Sequence, residues 1–335
     1  MRTHIAKLFG VIGLYVVGCT IAAAAPGYQY TVVGNPADVV TSTSGLLVLQ
    51  GGGTDVDENF RRMGARAGGG DFVVIRASGT DAYNPYIYDL CACDSVATIV
   101  FKNKNAVTDP FVIQTIRNAE ALFIAGGDQS DYVKLWKGTP IEDAIHYVAA
   151  KPAPVGGTSA GMAIMSEFIY SAMTSSSLTS AEALSNPFHR DLTLDRDFLV
   201  LPKLGGLITD QHLQERDRMG RTVAFLARLV RDGWTPQAHA IAADRETALH
   251  VDPISGTAEV FTTPTHATPF VYFLTTPGPP EMCEPGIPLT YRNVAVYRIG
   301  PGNSFNLDRW RGNGGIAYTL TVEAGALSSS RGEIY

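Results

Sequence analysis

Apolar residues in the first half of the chain fall into short, continuous runs, two of which stop at glycine pairs or triplets. Leu46-Leu47-Val48-Leu49-Gln50 runs into Gly51-Gly52-Gly53, and Ala121-Leu122-Phe123-Ile124 leads to Gly126-Gly127-Asp128-Gln129. Phe72-Val73-Val74-Ile75 and Ala97-Thr98-Ile99-Val100-Phe101 lie between them. Runs that are continuous rather than alternating are what parallel strands need when helices cover both faces. Helical spacing appears in between: Val56, Phe60 and Met63 across 56–67, then Phe111, Ile113 and Ile116 across 110–118, with a further helix predicted over 132–149. The pattern predicts an open α/β sheet with helices on both faces. Residues 27–44 read as an extended lead-in. Past Arg231 the runs become strand-like and broken by Pro and Gly (240–242, 247–252, 258–261, 270–274, 294–298), and 317–322 alternates cleanly. We therefore divide the chain into an N-terminal leader, an α/β domain over 26–252, and a β-rich extension over 253–335 packed on it.

The leader occupies residues 1–25. Arg2, His4 and Lys7 precede the apolar run Leu8 to Ile21, which ends in Ala22-Ala23-Ala24-Ala25-Pro26, the order of an export signal. The expectation is a secreted or periplasmic protein. Val16-Val17-Gly18-Cys19 resembles the box before the acylated cysteine of bacterial lipoproteins, so a lipid anchor at Cys19 is the alternative. Removal of the leader leaves Cys91, Cys93 and Cys283, an odd number. Cys91 and Cys93 stand too close to bridge each other easily; a disulfide from either one to Cys283 is an option that the sequence does not decide.

A net charge of −6 without a dense Lys/Arg run argues against nucleic acid or a membrane surface as partner. A small molecule or peptide fits better. The sequence contains neither a Cys-x-x-Cys pair nor a His-Glu-x-x-His helix, so no metal or other cofactor is expected. The triple glycine at 51 does not continue as a dinucleotide fingerprint, because Val56 stands where the third glycine would be.

Candidate chemistry centres on Pro154-Val155-Gly156-Gly157-Thr158-Ser159-Ala160-Gly161-Met162. A strand, a crowded turn between small residues and an apolar helix start make up a nucleophile elbow, with Ser159 at its tip. Gly127, at the end of a neighbouring strand, and Ala160, just after the serine, are candidate oxyanion donors. The missing base is His212, in Thr209-Asp210-Gln211-His212, followed by Arg216, Arg218 and Arg221. These arginines cannot share one helix face, whereas an irregular turn would let them converge.

Gly126-Gly127-Asp128-Gln129, Gly156 to Gly161, and Asp210-Gln211-His212 with Arg216, Arg218 and Arg221 together resemble the cyanophycinase branch of the serine peptidase family that also contains aspartyl dipeptidase. The resemblance extends from about Gly45 to about Asp252. It implies a flavodoxin-like body related to class I glutamine amidotransferases, and an exopeptidase acting on β-aspartyl peptides, above all releasing β-Asp-Arg dipeptides from cyanophycin. It makes Ser159 the nucleophile and His212 the base, and places Gln129, Asp210, Gln211, Arg216, Arg218 and Arg221 in the substrate pocket. A homodimer is also implied. For the acid, Glu182 in Ser-Ala-Glu-Ala-Leu is chosen, with Asp191 and Asp195 as rivals. Asp244-Arg245-Glu246-Thr247-Ala248 departs from the family's Asp-Glu-x-Thr-Ala at Arg245 and receives no role. The competing functions are a related aspartyl or isoaspartyl dipeptidase, an α/β-hydrolase esterase, for which no His-Gly-Gly-Gly stretch is visible, and a peptide-binding homologue without turnover.

Overall fold

The computed structural model describes residues 26–174 and 178–335. The predicted export signal and Cys19 lie outside the described residues. The lead-in contains an edge strand, β1 (Tyr28–Gly34), and strands then alternate with helices: β2 (Leu47–Gln50), α1 (Asp57–Arg66), β3 (Asp71–Arg76), α2 (Tyr83–Cys91), β4 (Ser95–Phe101), α3 (Pro110–Asn118), β5 (Ala121–Ile124), α4 (Gln129–Trp136), α5 (Pro140–Ala150), β6 (Val155–Thr158) and the short α6 (Ala160–Ala163). The single helix expected over 132–149 is thus two. Gly138, at a φ of 69°, turns the chain out of α4, and Pro140 starts α5 behind the Thr139 cap.

The second half supplies β7 (Phe168–Tyr170), α7 (Ser180–Ser185), β8 (Leu194–Arg196), β9 (Leu207–Asp210), α8 (Met219–Arg231), β10 (His239–Ala243), β11 (Thr247–Val251), β12 (Thr257–Thr262) and β13 (Val271–Thr275). It ends with β14 (Tyr291–Ile299), β15 (Ser304–Asn306), β16 (Arg311–Asn313), β17 (Ile316–Glu323) and β18 (Ala326–Ser329).

The strands form two sheets. The first runs β1-β4-β3-β5-β6-β2-β11-β12-β15-β16, parallel from β4 to β2 and antiparallel outside that block. The second runs β18-β17-β14-β13-β10-β9-β7-β8, parallel only across β10, β9 and β7. The α/β character read from the pattern is present, with the C-terminal strands extending both sheets.

Alternate residues of each strand feed different cores, which explains the unbroken apolar runs. Leu46, Val48, Phe72, Val74 and Phe123 face α1 and α2. Leu47, Leu49, Val73, Ile75, Leu122 and Ile124 face inward, where they join Ile241, Phe273 and Ile299 of the second sheet in one cluster with α3 to α5. The far face of the second sheet, with Tyr272, Leu274 and Val296, packs on α8.

Neither Cys91 nor Cys93 is bridged to Cys283. Cys91 and Cys93 are bonded to each other, while Cys283 is a buried free thiol in the core beneath α8. Ala92 between them adopts a left-handed φ of 51°, and this turn brings the two Cα atoms to 5.2 Å, within bridging range.

Candidate active site

The serine turn follows from tight packing around Ser159. A β-carbon at Gly161 would fall 2.0 Å from the Ile124 carbonyl oxygen, and one at Gly157 would fall 2.7 Å from Gly161, so both must be glycine. Between them Ser159 is held at φ 52° and ψ −117°, a backbone conformation that a non-glycine residue rarely adopts and that a nucleophile elbow requires. The helix that follows is only four residues long, shorter than the apolar run suggested.

His212 arrives from the other sheet. It follows β9 at a φ of 52°, and its amide donates to Gly51 O at 2.8 Å. Nε2 lies 3.0 Å from Ser159 Oγ, and Nδ1 lies 2.6 Å from Glu215 Oε2. With Nδ1–H donated to the carboxylate, Nε2 is left as the acceptor for the serine proton. Burial lowers the imidazole's proton affinity, and the cations of Arg216 and Arg218 lower it further; the Glu215 hydrogen bond opposes them without cancelling them. The ring is therefore a free base at neutral pH. For Glu215 the order is reversed: burial pushes its carboxyl up, but the His212 hydrogen bond and charge, with Arg216 and Arg245, bring it below the ordinary value.

A polar cavity of about 200 Å³ opens beside the serine, lined by Gly127, Asp128, Gln129, Ser159, Tyr170, Ala172, Gln211, Arg216, Arg218 and Arg221. Both the irregular 212–218 turn and the start of α8 contribute arginines, so the three converge as a loop permits. Their environments differ. Arg221 is clamped to Asp210, Nε to Oδ2 at 2.9 Å and Nη2 to Oδ1 at 2.5 Å, in a pair whose side chains are each 1% exposed. Asp210 also accepts from Thr222 Oγ1 and the Gln211 amide. Burial disfavours the Asp210 charge, yet Arg221 holds the carboxyl below its ordinary value. Arg218, 5% exposed, donates Nη1 to Gln211 O at 2.8 Å, and among the described residues its Nε has no hydrogen-bond partner. Burial and the neighbouring Arg221 pull its pKa down to about 10, against the opposing charge of Asp210, and among the described residues Arg218 forms no ion pair with a carboxylate. Arg216 is exposed at the rim.

The structure thus brings Gly127, Gln129, Ser159, Gln211, His212, Arg216, Arg218 and Arg221 to one place, with Ala160 heading the helix after the serine and Asp210 behind Arg221 rather than in the cavity. It does not bring Glu182 there. Glu182 is bound in a capping box at the start of α7, where its carboxylate accepts from Thr179 N at 2.9 Å and Thr179 Oγ1 at 2.8 Å. Of the rivals, Asp195 pairs with Lys137 at 2.7 Å, and Asp191 lies 3.8 Å from His189. The carboxylate on the imidazole is Glu215, which the sequence offered three positions beyond His212.

A serine held in an elbow, a neutral imidazole on its hydroxyl and a carboxylate behind the imidazole define a serine hydrolase. The sequence model of peptidase family S51 matches residues 89–193, which include the elbow. The chain is a serine peptidase, and over the matched residues it is similar to family S51. No curated protein matches the chain. Among solved structures, a peptidase from an acI-B1 actinobacterium superposes with a TM-score of 0.53 at 13% identity, over 79% of this chain and 98% of that one, so the fold is shared. A candidate peptidase E protein from Listeria monocytogenes EGD-e aligns at a TM-score of 0.43 and 14% identity, over 65% and 98% of the two chains.

Proposed function

We propose that the protein is an exported peptidase that removes β-Asp-Arg units from cyanophycin by way of Ser159, His212 and Glu215. The observation that carries this reading is Arg218: a buried guanidinium without a carboxylate partner, set in the cavity beside Ser159. Leaving such a cation in the wall is unfavourable unless a ligand brings the counter-charge, and a guanidinium fork suits a carboxylate. Cyanophycin carries free carboxylates and arginine side chains. In this reading Arg218 and Arg216 receive a carboxylate, and Asp128 at the cavity mouth is available to a substrate guanidinium. Export rests on the charge, apolar run and alanine-rich site at residues 2–26.

In the proposed reaction Ser159 Oγ attacks the scissile aspartyl carbonyl while His212 Nε2 takes its proton. Glu215 keeps the imidazolium in register, and the amides of Gly127 and Ala160 meet the oxyanion. The imidazolium then returns the proton to the leaving amine. Water, deprotonated by the same ring, releases the acyl group.

The test is incubation of insoluble cyanophycin with the purified protein and identification of the soluble product. β-Asp-Arg dipeptide released by the wild type and lost in Ser159→Ala is the expected result. Hydrolysis of isoaspartyl dipeptides alone, or of short acyl esters alone, would replace the substrate assignment. Unchanged hydrolysis by a folded Ser159→Ala protein would remove the nucleophile.

A further inference from the structure

The turn between β10 and β11, Asp244-Arg245-Glu246, lies against the loop that carries His212 and Glu215, and the reaction above gives it no part. Leu213 N donates to Ala243 O at 3.2 Å, and Gln214 N donates to Asp244 Oδ1 at 2.9 Å. The backbone between histidine and glutamate is therefore pinned to this turn. The Glu215 side chain itself is less constrained. It is 34% exposed, and only Oε2 is engaged by His212. A glutamate has enough rotor freedom to swing such a carboxylate into water. Its second oxygen, Oε1, lies 3.8 Å from Arg245 Nη1.

We propose that Arg245 is a positioning residue that holds the Glu215 carboxylate against His212. The inference rests on the Ser159–His212–Glu215 reading and deepens it. Arg245 is suited to the task because it is anchored from behind. Its Nη2 donates to the Glu246 carboxylate, which in turn accepts from Thr54 Oγ1 and Thr263 Oγ1, each at 3.2 Å. Glu246 sits at a φ of 55° and donates its amide to Gly52 O at 2.6 Å; Gly52 is the residue packed on the His212 ring. The clamp and the imidazole are thus referred to the same loop. The long, exposed contact with Glu215 itself contributes little to stability, so the positioning role of Arg245 is read in the reactivity of Ser159, while its bond to buried Glu246 bears on the fold.

The experiment measures the rate at which diisopropyl fluorophosphate labels Ser159 in the full-length protein, a readout independent of substrate identity. Arg245→Met is expected to slow labelling about tenfold in protein that circular dichroism shows to be folded at the assay temperature, and Arg245→Lys to restore part of the rate. In a Glu215→Ala background, adding Arg245→Met should slow labelling no further. Wild-type labelling by Arg245→Met, or a tenfold loss that persists in full without Glu215, overturns the clamp while leaving the triad standing. An unlabelled wild type, or wild-type labelling by Glu215→Ala, overturns the triad and the clamp together.

Discussion

Ser159 and His212 hang from consecutive carbonyls of one strand end: the Ser159 amide donates to Gln50 O at 3.0 Å and the His212 amide to Gly51 O at 2.8 Å. The end of β2 therefore sets the separation of hydroxyl and imidazole. The next residue, Gly52, lies against the ring; at its φ of 96° a β-carbon would fall 2.2 Å from Nε2. Gly52→Ala must displace the imidazole. Misplacement of about 1 Å is enough to lower kcat about 100-fold, and we expect a loss of that order, measured on a β-aspartyl peptide with folding followed by circular dichroism.

The exchange of Glu182 for Glu215 as the carboxylate on the histidine makes opposite predictions for two conservative variants. Glu215→Gln should lower kcat by about 10² to 10⁴, since the imidazole loses both its orientation and its counter-charge. Glu182→Gln should leave kcat unchanged and weaken only the α7 cap, by less than about 1.5 kcal/mol. Parallel kinetics and thermal melts of the two proteins decide between the assignments.

Arg218 and Arg221 share the cavity wall, yet their replacement should have different consequences. Arg221→Met leaves Asp210 buried without its cation and is expected to destabilise the fold by about 3–5 kcal/mol, read from urea denaturation. Arg218→Met removes a cation that makes no direct ion pair with a carboxylate, so stability should be retained while KM for a substrate bearing a free carboxylate rises at least about tenfold. Equal loss of stability in both would contradict the division of roles.

The sign of the pH dependence follows from His212. Burial and two arginine charges hold its pKa below the usual histidine value of about 6.5, so the protonated form, inactive in the proposed mechanism, accumulates only at acidic pH. Activity should rise with pH along a limb centred below that value and stay level through neutrality. Exposed Arg216 contributes to the depression, and Arg216→Ala should move the limb to higher pH. A limb that stays in place or moves down would show that the Arg216 charge does not reach the ring. The profile is read from kcat/KM, or from serine labelling as a function of pH.

Much of this site was legible in the sequence because backbone requirements leave a residue signature. The crowded elbow demands small residues at 157 and 161, and the strand runs demand apolar side chains on both faces, so Ser159 and the α/β core announced themselves. His212 was identifiable from its position after β9 among charged neighbours. Glu215 stood in plain view, but spacing alone does not reveal a side chain that folds back onto its own loop. A histidine at φ 52° makes that return possible, and no sequence pattern encodes it. The carboxylate of Glu182 was misleading because a capping box, Thr179 with Glu182, uses the same residue types as a buried acid would. The Cys91–Cys93 bridge was hidden for a related reason: one left-handed residue, Ala92, shortens a distance that extended chain would not allow.

Ser159 stands at the end of a strand of the first sheet and His212 at the end of a strand of the second, and the inner core joins the two layers. Either layer by itself carries only one member of the proposed Ser159–His212 pair. In the proposed mechanism Ser159 therefore gains its base only when the two layers have docked. The arrival of serine labelling during refolding would time the meeting of the layers directly.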